Sequence, residues 1–139
     1  MTELLDEVLT AHGGVERWQS VSAITARGRL GGLLPQRFPG NKLAKFTVEV
    51  EVAERRTVLQ DFPRVGECAV FDKGVVRIET RDGEELGRRT DPRPEFFGLS
   101  GVRRNLHWDA LDTAYFAGYA FWNYLNAPLL LARDDITVT

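Results

Sequence analysis

The chain has 139 residues, enough for one domain with a substantial core. Apolar residues make up 43% and charged residues 27%, with a net charge of −2, the profile of an ordinary globular protein. No basic pole or tail is present, which argues against nucleic acid as a partner.

The start, Met-Thr-Glu-Leu-Leu-Asp-Glu, has neither the basic head nor the apolar core of a secretory signal. Leu4, Leu5, Val8 and Leu9 recur at helical spacing, with Thr2 as N-cap and acidic residues suited to the positive end of the dipole. His12-Gly13-Gly14 ends that helix, because glycine supplies the left-handed backbone that helix ends favour. Residues 15–19 form another short turn, with Trp18 inward.

The middle of the chain reads as β. Residues 21–30 are the first strand, followed by a loop over 31–40 rich in Gly and Pro. Phe46, Val48, Val50 and Val52 alternate with Thr47, Glu49, Glu51 and Ala53, which buries one face and wets the other. Residues 57–62 make a further strand, stopped by Pro63. Asp72-Lys73-Gly74 joins strands 65–71 and 75–81 through a bulge-type turn. Asp82-Gly83 joins the latter to 84–90 as a two-residue turn. The result is an antiparallel meander of five or six strands. Beyond Asp91-Pro92-Arg93-Pro94, residues 95–99 form a short helix, with a loop at Ser100-Gly101. Asp109 is the N-cap of a long helix, with Asp112 as its capping partner. That helix spans 110–127, and Pro128 ends or kinks it. Residues 136–138 begin another strand.

The uncharged run 113–132 decides the class of protein. Fifteen of its twenty residues are apolar and six are aromatic. It is long enough to span a bilayer or to fill a small domain. Asn123 and Asn126 lie within it, its Tyr and Trp are scattered rather than at two interfaces, and its flanks, Asp109 and Asp112 on one side and Arg133-Asp134-Asp135 on the other, give no basic end. These features place it in a core, lying on the apolar face of the sheet, with no stable membrane insertion. Tyr115, Tyr119, Trp122 and Asn126 share one stripe. Phe116, Asn123 and Leu130 share the next. Ala114, Ala117, Gly118 and Ala120 permit close approach to the sheet.

His12-Gly13-Gly14 with Trp18, Val21 and Gly28 resembles the opening of LolA-like proteins, the superfamily of bacterial lipoprotein carriers. Further segments resemble a group of uncharacterised bacterial proteins of that superfamily. They are Arg56-Thr57-Val58-Leu59, Val76-Arg77-Ile78-Glu79, Phe96-Phe97-Gly98, Trp108-Asp109-Ala110-Leu111 and the run 114–125, whose Tyr-Phe-x-Gly-Tyr-Ala-x-Trp-Asn-Tyr-Leu core is the specific part. The resemblance covers nearly the whole chain. It implies an α+β fold: a curved antiparallel half-barrel covered by the long C-terminal aromatic helix, with a short N-terminal helix. The relatives run on past the position of Ile136, so the resemblance also implies an incomplete homologue with an open sheet edge that a partner could cover. It brings no catalytic residues.

The residues themselves offer little catalytic chemistry. His107 and Asp109 are too close in sequence to face each other on a helix start. Two His and one Cys, far apart, give no metal-ligand spacing, and Cys68 can form no internal disulfide. Arg55-Arg56, Arg88-Arg89 and Arg103-Arg104 would hold a phosphate or lipid head group if they converged, but solvated surface charge is the simpler account. No phosphate loop, nucleophile elbow or carboxylate pair is present. The expectation is therefore a cytoplasmic, non-enzymatic protein without cofactor or metal. It would bind a hydrophobic or amphiphilic, lipid-like ligand between sheet and helix, at Phe46, Val48, Val50, Phe116, Tyr119, Trp122 and Asn123. The alternative is a structural or assembly protein that forms a homo-oligomer through its open edge, with the helix as mere core.

Overall fold

The structure is a computed structural model that describes residues 3–30, 45–97, 108–133 and 136. Thr2, the 31–40 loop, Leu99, Ser100-Gly101, Arg103-Arg104, His107 and residues 137–138 fall outside that set. Two short helices come first, α1 (Glu3–Ala11) and α2 (Val15–Gln19). Six strands follow: β1 (Ala23–Arg29), β2 (Lys45–Glu51), β3 (Arg56–Gln60), β4 (Glu67–Asp72), β5 (Val75–Thr80) and β6 (Glu85–Thr90). A 3-10 turn at Arg93–Phe96 leads to the long helix α3 (Ala110–Leu130). The strands pair in chain order into one open antiparallel sheet. The fold is α+β, with the long helix packed on one sheet face.

Register explains which residues turn inward. Val48 pairs with Leu59, Leu59 with Ala69, and Ala69 with Ile78. Val50, Thr57, Phe71 and Val76 form the neighbouring row. Because side chains alternate, both rows share the face under α3, and all are buried. The opposite face carries charge, with ion pairs between Arg56 and Glu51 and between Arg77 and Glu79. Among the described residues, no helix is long and apolar enough to cross a membrane.

Turn chemistry departs from the expected turns in two places. Asp72 pairs directly with Val75, so the β4–β5 loop is Lys73-Gly74, both with positive φ (48° and 94°). Two such residues match the right-handed twist of the flanking strands, so no bulge is needed there. The β5–β6 loop is longer than two residues: Thr80 N–H donates to the Glu84 carbonyl, and Gly83 adopts φ 89°. The register of β5 against β6 shifts at Ile78/Glu79, before that loop.

The small stripe of α3 sets its distance from the sheet. Ala114, Ala117 and Gly118 are buried, whereas Tyr119 is 44% exposed and Phe116 37% exposed. Of the stripe Tyr115, Tyr119, Trp122 and Asn126, Trp122 and Asn126 are buried, and the small residues bring the helix close to the sheet as expected. A Cβ on Gly118 would lie 2.4 Å from the Cβ of Phe71. Thr57 Oγ1 donates to the Gly118 carbonyl at 3.0 Å in that buried contact. The N-terminus of α3 is held by a capping box between Asp109 and Asp112. Arg89 of β6 ion-pairs with both carboxylates, at 2.7 Å to Asp109. Burial works against the Arg89 charge, but the hydrogen bond and charge of Asp109, with the charges of Asp112 and Glu95, raise its pKa above the ordinary value. The helix passes position 128 and ends at Leu130, three residues later than expected.

Gly118→Ala tests the close contact. Alanine raises helix propensity by about 1 kcal/mol. Overlap with a Cβ fixed to the sheet backbone costs more, so the net loss is expected to be about 2 kcal/mol in urea unfolding. A stabilised variant would show that the helix sits further out.

Candidate functional site

Trp122 occupies the junction between α3 and the sheet. Its Nε1–H is shared between the carbonyls of Glu54 (2.9 Å) in the β2–β3 turn and Glu51 (3.2 Å) at the end of β2. The Arg55 guanidinium lies 5.5 Å from the centre of its ring, within cation–π range. The indole therefore pins α3 to one end of the sheet.

Beyond that pin a cleft of about 700 Å³ opens. Trp122, Asn126, Leu129 and Leu130 line it from α3, and Val15, Trp18 and Gln19 from α2. Val21, Val52, Ala53, Ala132 and Arg133 complete it. Backbone bonds hold the opposing wall: Val21 N–H donates to the Trp18 carbonyl (2.9 Å) and Val52 N–H to the Ser22 carbonyl (3.0 Å). Gly13 and Gly14, at φ 94° and 85°, turn the chain from α1 into α2.

Asn126 is buried beside this cleft and donates from Nδ2 to the Trp122 carbonyl at 2.7 Å. A side-chain amide has four hydrogen-bonding positions, and this contact uses one. A smaller hollow of about 270 Å³ adjoins the cleft, lined by Ala53, Glu54, Arg55, Lys73, Trp122 and Arg133. Lys73 pairs with Glu54 at 2.5 Å, and that bond and charge hold its ammonium above the ordinary lysine range.

The seven residues expected to line a site do not meet at one place. Val48 and Val50 are wholly enclosed in the core. Phe46 covers Gly28 on β1 and packs 4.6 Å from Phe121. Phe116 and Tyr119 lie on the half-exposed side of α3. Asn123 donates to the Tyr119 carbonyl at 2.7 Å, within its own helix. Trp122 alone of the seven lines the cleft. Trp18, Gln19, Asn126 and Arg133 were not singled out as ligand contacts, since no spacing links residues so far apart in the chain.

Comparison with family models, curated proteins and solved structures returns no match. The site must therefore be judged on its own chemistry. Among the described residues, no cluster of His, Cys, Asp and Glu could hold a metal. His12 Nδ1 donates to the Val8 carbonyl at 2.8 Å and so serves the end of α1. The Arg55-Arg56 pair splits, with Arg55 at the hollow and Arg56 on Glu51. Arg88 and Arg89 split likewise, toward Glu85 and the Asp109–Asp112 cap.

A second aromatic group gathers at the other end of α3. Tyr115 lies 5.4 Å from Phe96, 5.8 Å from Phe71 and 6.4 Å from Tyr119. Burial of its hydroxyl, with smaller contributions from Tyr119 and Asp91, pushes the Tyr115 pKa above the ordinary tyrosine value. The folded state thus favours the neutral phenol. That contribution is complete below about pH 10 and is lost as pH rises through the raised value. Absorbance at 295 nm should show a tyrosine step above pH 10 that Tyr115→Phe removes. A Tyr115 step at or below the ordinary value would contradict this packing.

Proposed function

We propose that this chain is a non-enzymatic binding protein for a hydrophobic or amphiphilic, lipid-like molecule, held in the cleft between α2 and the C-terminal half of α3. The observation that carries this reading is the cleft itself. Its volume lies within the range of roughly 300–1,000 Å³ typical of small-molecule sites. Two indoles and five aliphatic side chains (Val15, Val21, Val52, Leu129 and Leu130) supply apolar wall, and Gln19 and Asn126 supply a few polar groups. That mixture suits an acyl or aromatic body with a polar end.

The core argues for this place over the one first expected. Residues between sheet and helix are already in contact, and the Gly118–Phe71 approach leaves no room for a guest. The likeness of the His-Gly-Gly opening and the 114–125 run to LolA-like proteins points to the same ligand class. Assembly through open edges is the competing reading, and β1 and β6 are indeed the outermost strands. Arg27 and Arg29 on β1 and Arg88 on β6 work against it, since charge on an edge strand discourages pairing.

Native mass spectrometry of the purified chain should show bound lipid-like mass. Titration with dodecanol should change tryptophan emission, and Trp18→Ala should weaken binding about tenfold, the loss expected from removing one large apolar contact. Equal affinity in Trp18→Ala, or no binding at all, would overturn the assignment.

A further inference from the structure

Of the amide and charged side chains described on the cleft wall, Asn126 is the buried one. It is 2% exposed, whereas Gln19 and Arg133 are open to solvent. Trp122, Leu129 and Leu130 surround it on the wall that α3 supplies, and Val15 and Trp18 belong to the wall from α2. Among the described residues, its side chain makes one hydrogen bond, from Nδ2 to the Trp122 carbonyl at 2.7 Å. Only the nitrogen end of an amide can meet a carbonyl, so this bond fixes the orientation of the group. Nδ2 turns to the helix backbone, and Oδ1 stands at the other end with both acceptor positions left.

A structural duty accounts for the one bond and not for the depth. Asn123 makes the same bond, to the Tyr119 carbonyl at 2.7 Å, on a partly exposed stretch of the helix where water reaches the rest of its amide. At position 126 the unmet acceptor is buried, which costs free energy. A leucine there would avoid that cost and add apolar wall. Water in the cleft can meet Oδ1, and an occupant that displaces the water must replace its bond. The helix turn that carries Asn126 is already fixed, because the Trp122 indole is held by the Glu51 and Glu54 carbonyls. The acceptor is thus pre-positioned among apolar groups, where a hydrogen bond is stronger than in water.

We infer that Asn126 selects the polar end of the molecule in the cleft, and that this end is an uncharged hydrogen-bond donor, a hydroxyl or a carboxamide, which donates to Oδ1. This rests on the cleft reading above and narrows it to neutral amphiphiles. An ether has no hydrogen to donate. An ionised acid has none either, and at the depth of Asn126 its charge would leave water for apolar walls and a neutral amide. Arg133, which carries the charge of the described lining, is exposed and has an interaction partner of its own.

Titrations of the full chain with dodecanol, dodecanamide, undecyl methyl ether and ionised dodecanoate test it, each below its solubility or micelle limit. The ether matches dodecanol in size and lacks the O–H. Dodecanol or dodecanamide should bind about tenfold more tightly than the ether, the margin of one buried hydrogen bond, and dodecanoate should bind more weakly than dodecanol. Whichever of the two donors binds better tells hydroxyl from carboxamide, and either supports the inference. Asn126→Leu should bring the alcohol-to-ether ratio to about one. Asn123→Leu removes the same kind of helix bond away from the cleft and should leave the ratio as in the wild type. An asparagine with only a structural role would shift both ligands together. Equal affinities for alcohol and ether in the wild type, or a ratio that survives Asn126→Leu, would overturn the role of Asn126 and leave the cleft reading intact. Tightest binding of dodecanoate would overturn it in favour of a charged end. Failure of every amphiphile would overturn both readings. Should Asn126→Leu not fold, the wild-type ratio decides alone.

Discussion

The contact between Gly118 and Phe71 is the constraint on which the rest of this structure depends. A glycine in a helix interior costs about 1 kcal/mol relative to alanine. Here it brings the helix backbone to the depth of the strands, where Thr57 reaches the Gly118 carbonyl. With the helix at that depth, Val48, Leu59, Phe71 and Val76 need no further cover and the central core closes. One turn later the Trp122 indole is at the right height to reach the Glu51 and Glu54 carbonyls. The other end is fixed by Arg89 on the Asp109–Asp112 cap.

Those attachments determine where open space can exist. A helix of 21 residues is about 31 Å long, longer than the core needs. Its last two turns pass the Trp122 pin, where Leu129 and Leu130 line the cleft together with Val15, Trp18 and Gln19 of α2. The cleft is therefore a consequence of length and anchoring, and the central packing stays intact around it. Apolar walls and a buried asparagine give that space its chemical character, on which the proposed amphiphile site rests.

Much of the fold was legible because it is local. Alternation over 46–53 announces β2, and Asp109 with Asp112 announces the start of α3 in both position and mechanism. The six-stranded meander follows from turn residues between alternating segments. What stayed hidden is long-range. Helical spacing puts tyrosines and small residues on adjacent stripes, and hydrophobicity alone favours the tyrosines as the inward face. Close packing instead buries Ala114, Ala117 and Gly118 with Trp122 and Asn126, and leaves Tyr119 44% exposed. The site was hidden for the same reason: Trp18, Ala53 and Arg133 meet only after the sheet has formed and the helix has docked. The asparagines illustrate a local solution that the sequence left open, since Asn123 and Asn126 each bond the carbonyl four residues back.

The central claim is that ligand space lies beyond the Trp122 pin and not between helix and sheet. Amide chemical-shift mapping with dodecanol on the full chain addresses this directly. The account predicts perturbations confined to residues 15–21, 52–55 and 122–133. Perturbations centred on Val48, Leu59, Phe71, Val76 and Ala117 would contradict it, because they would mean that the helix lifts from the sheet to admit a guest.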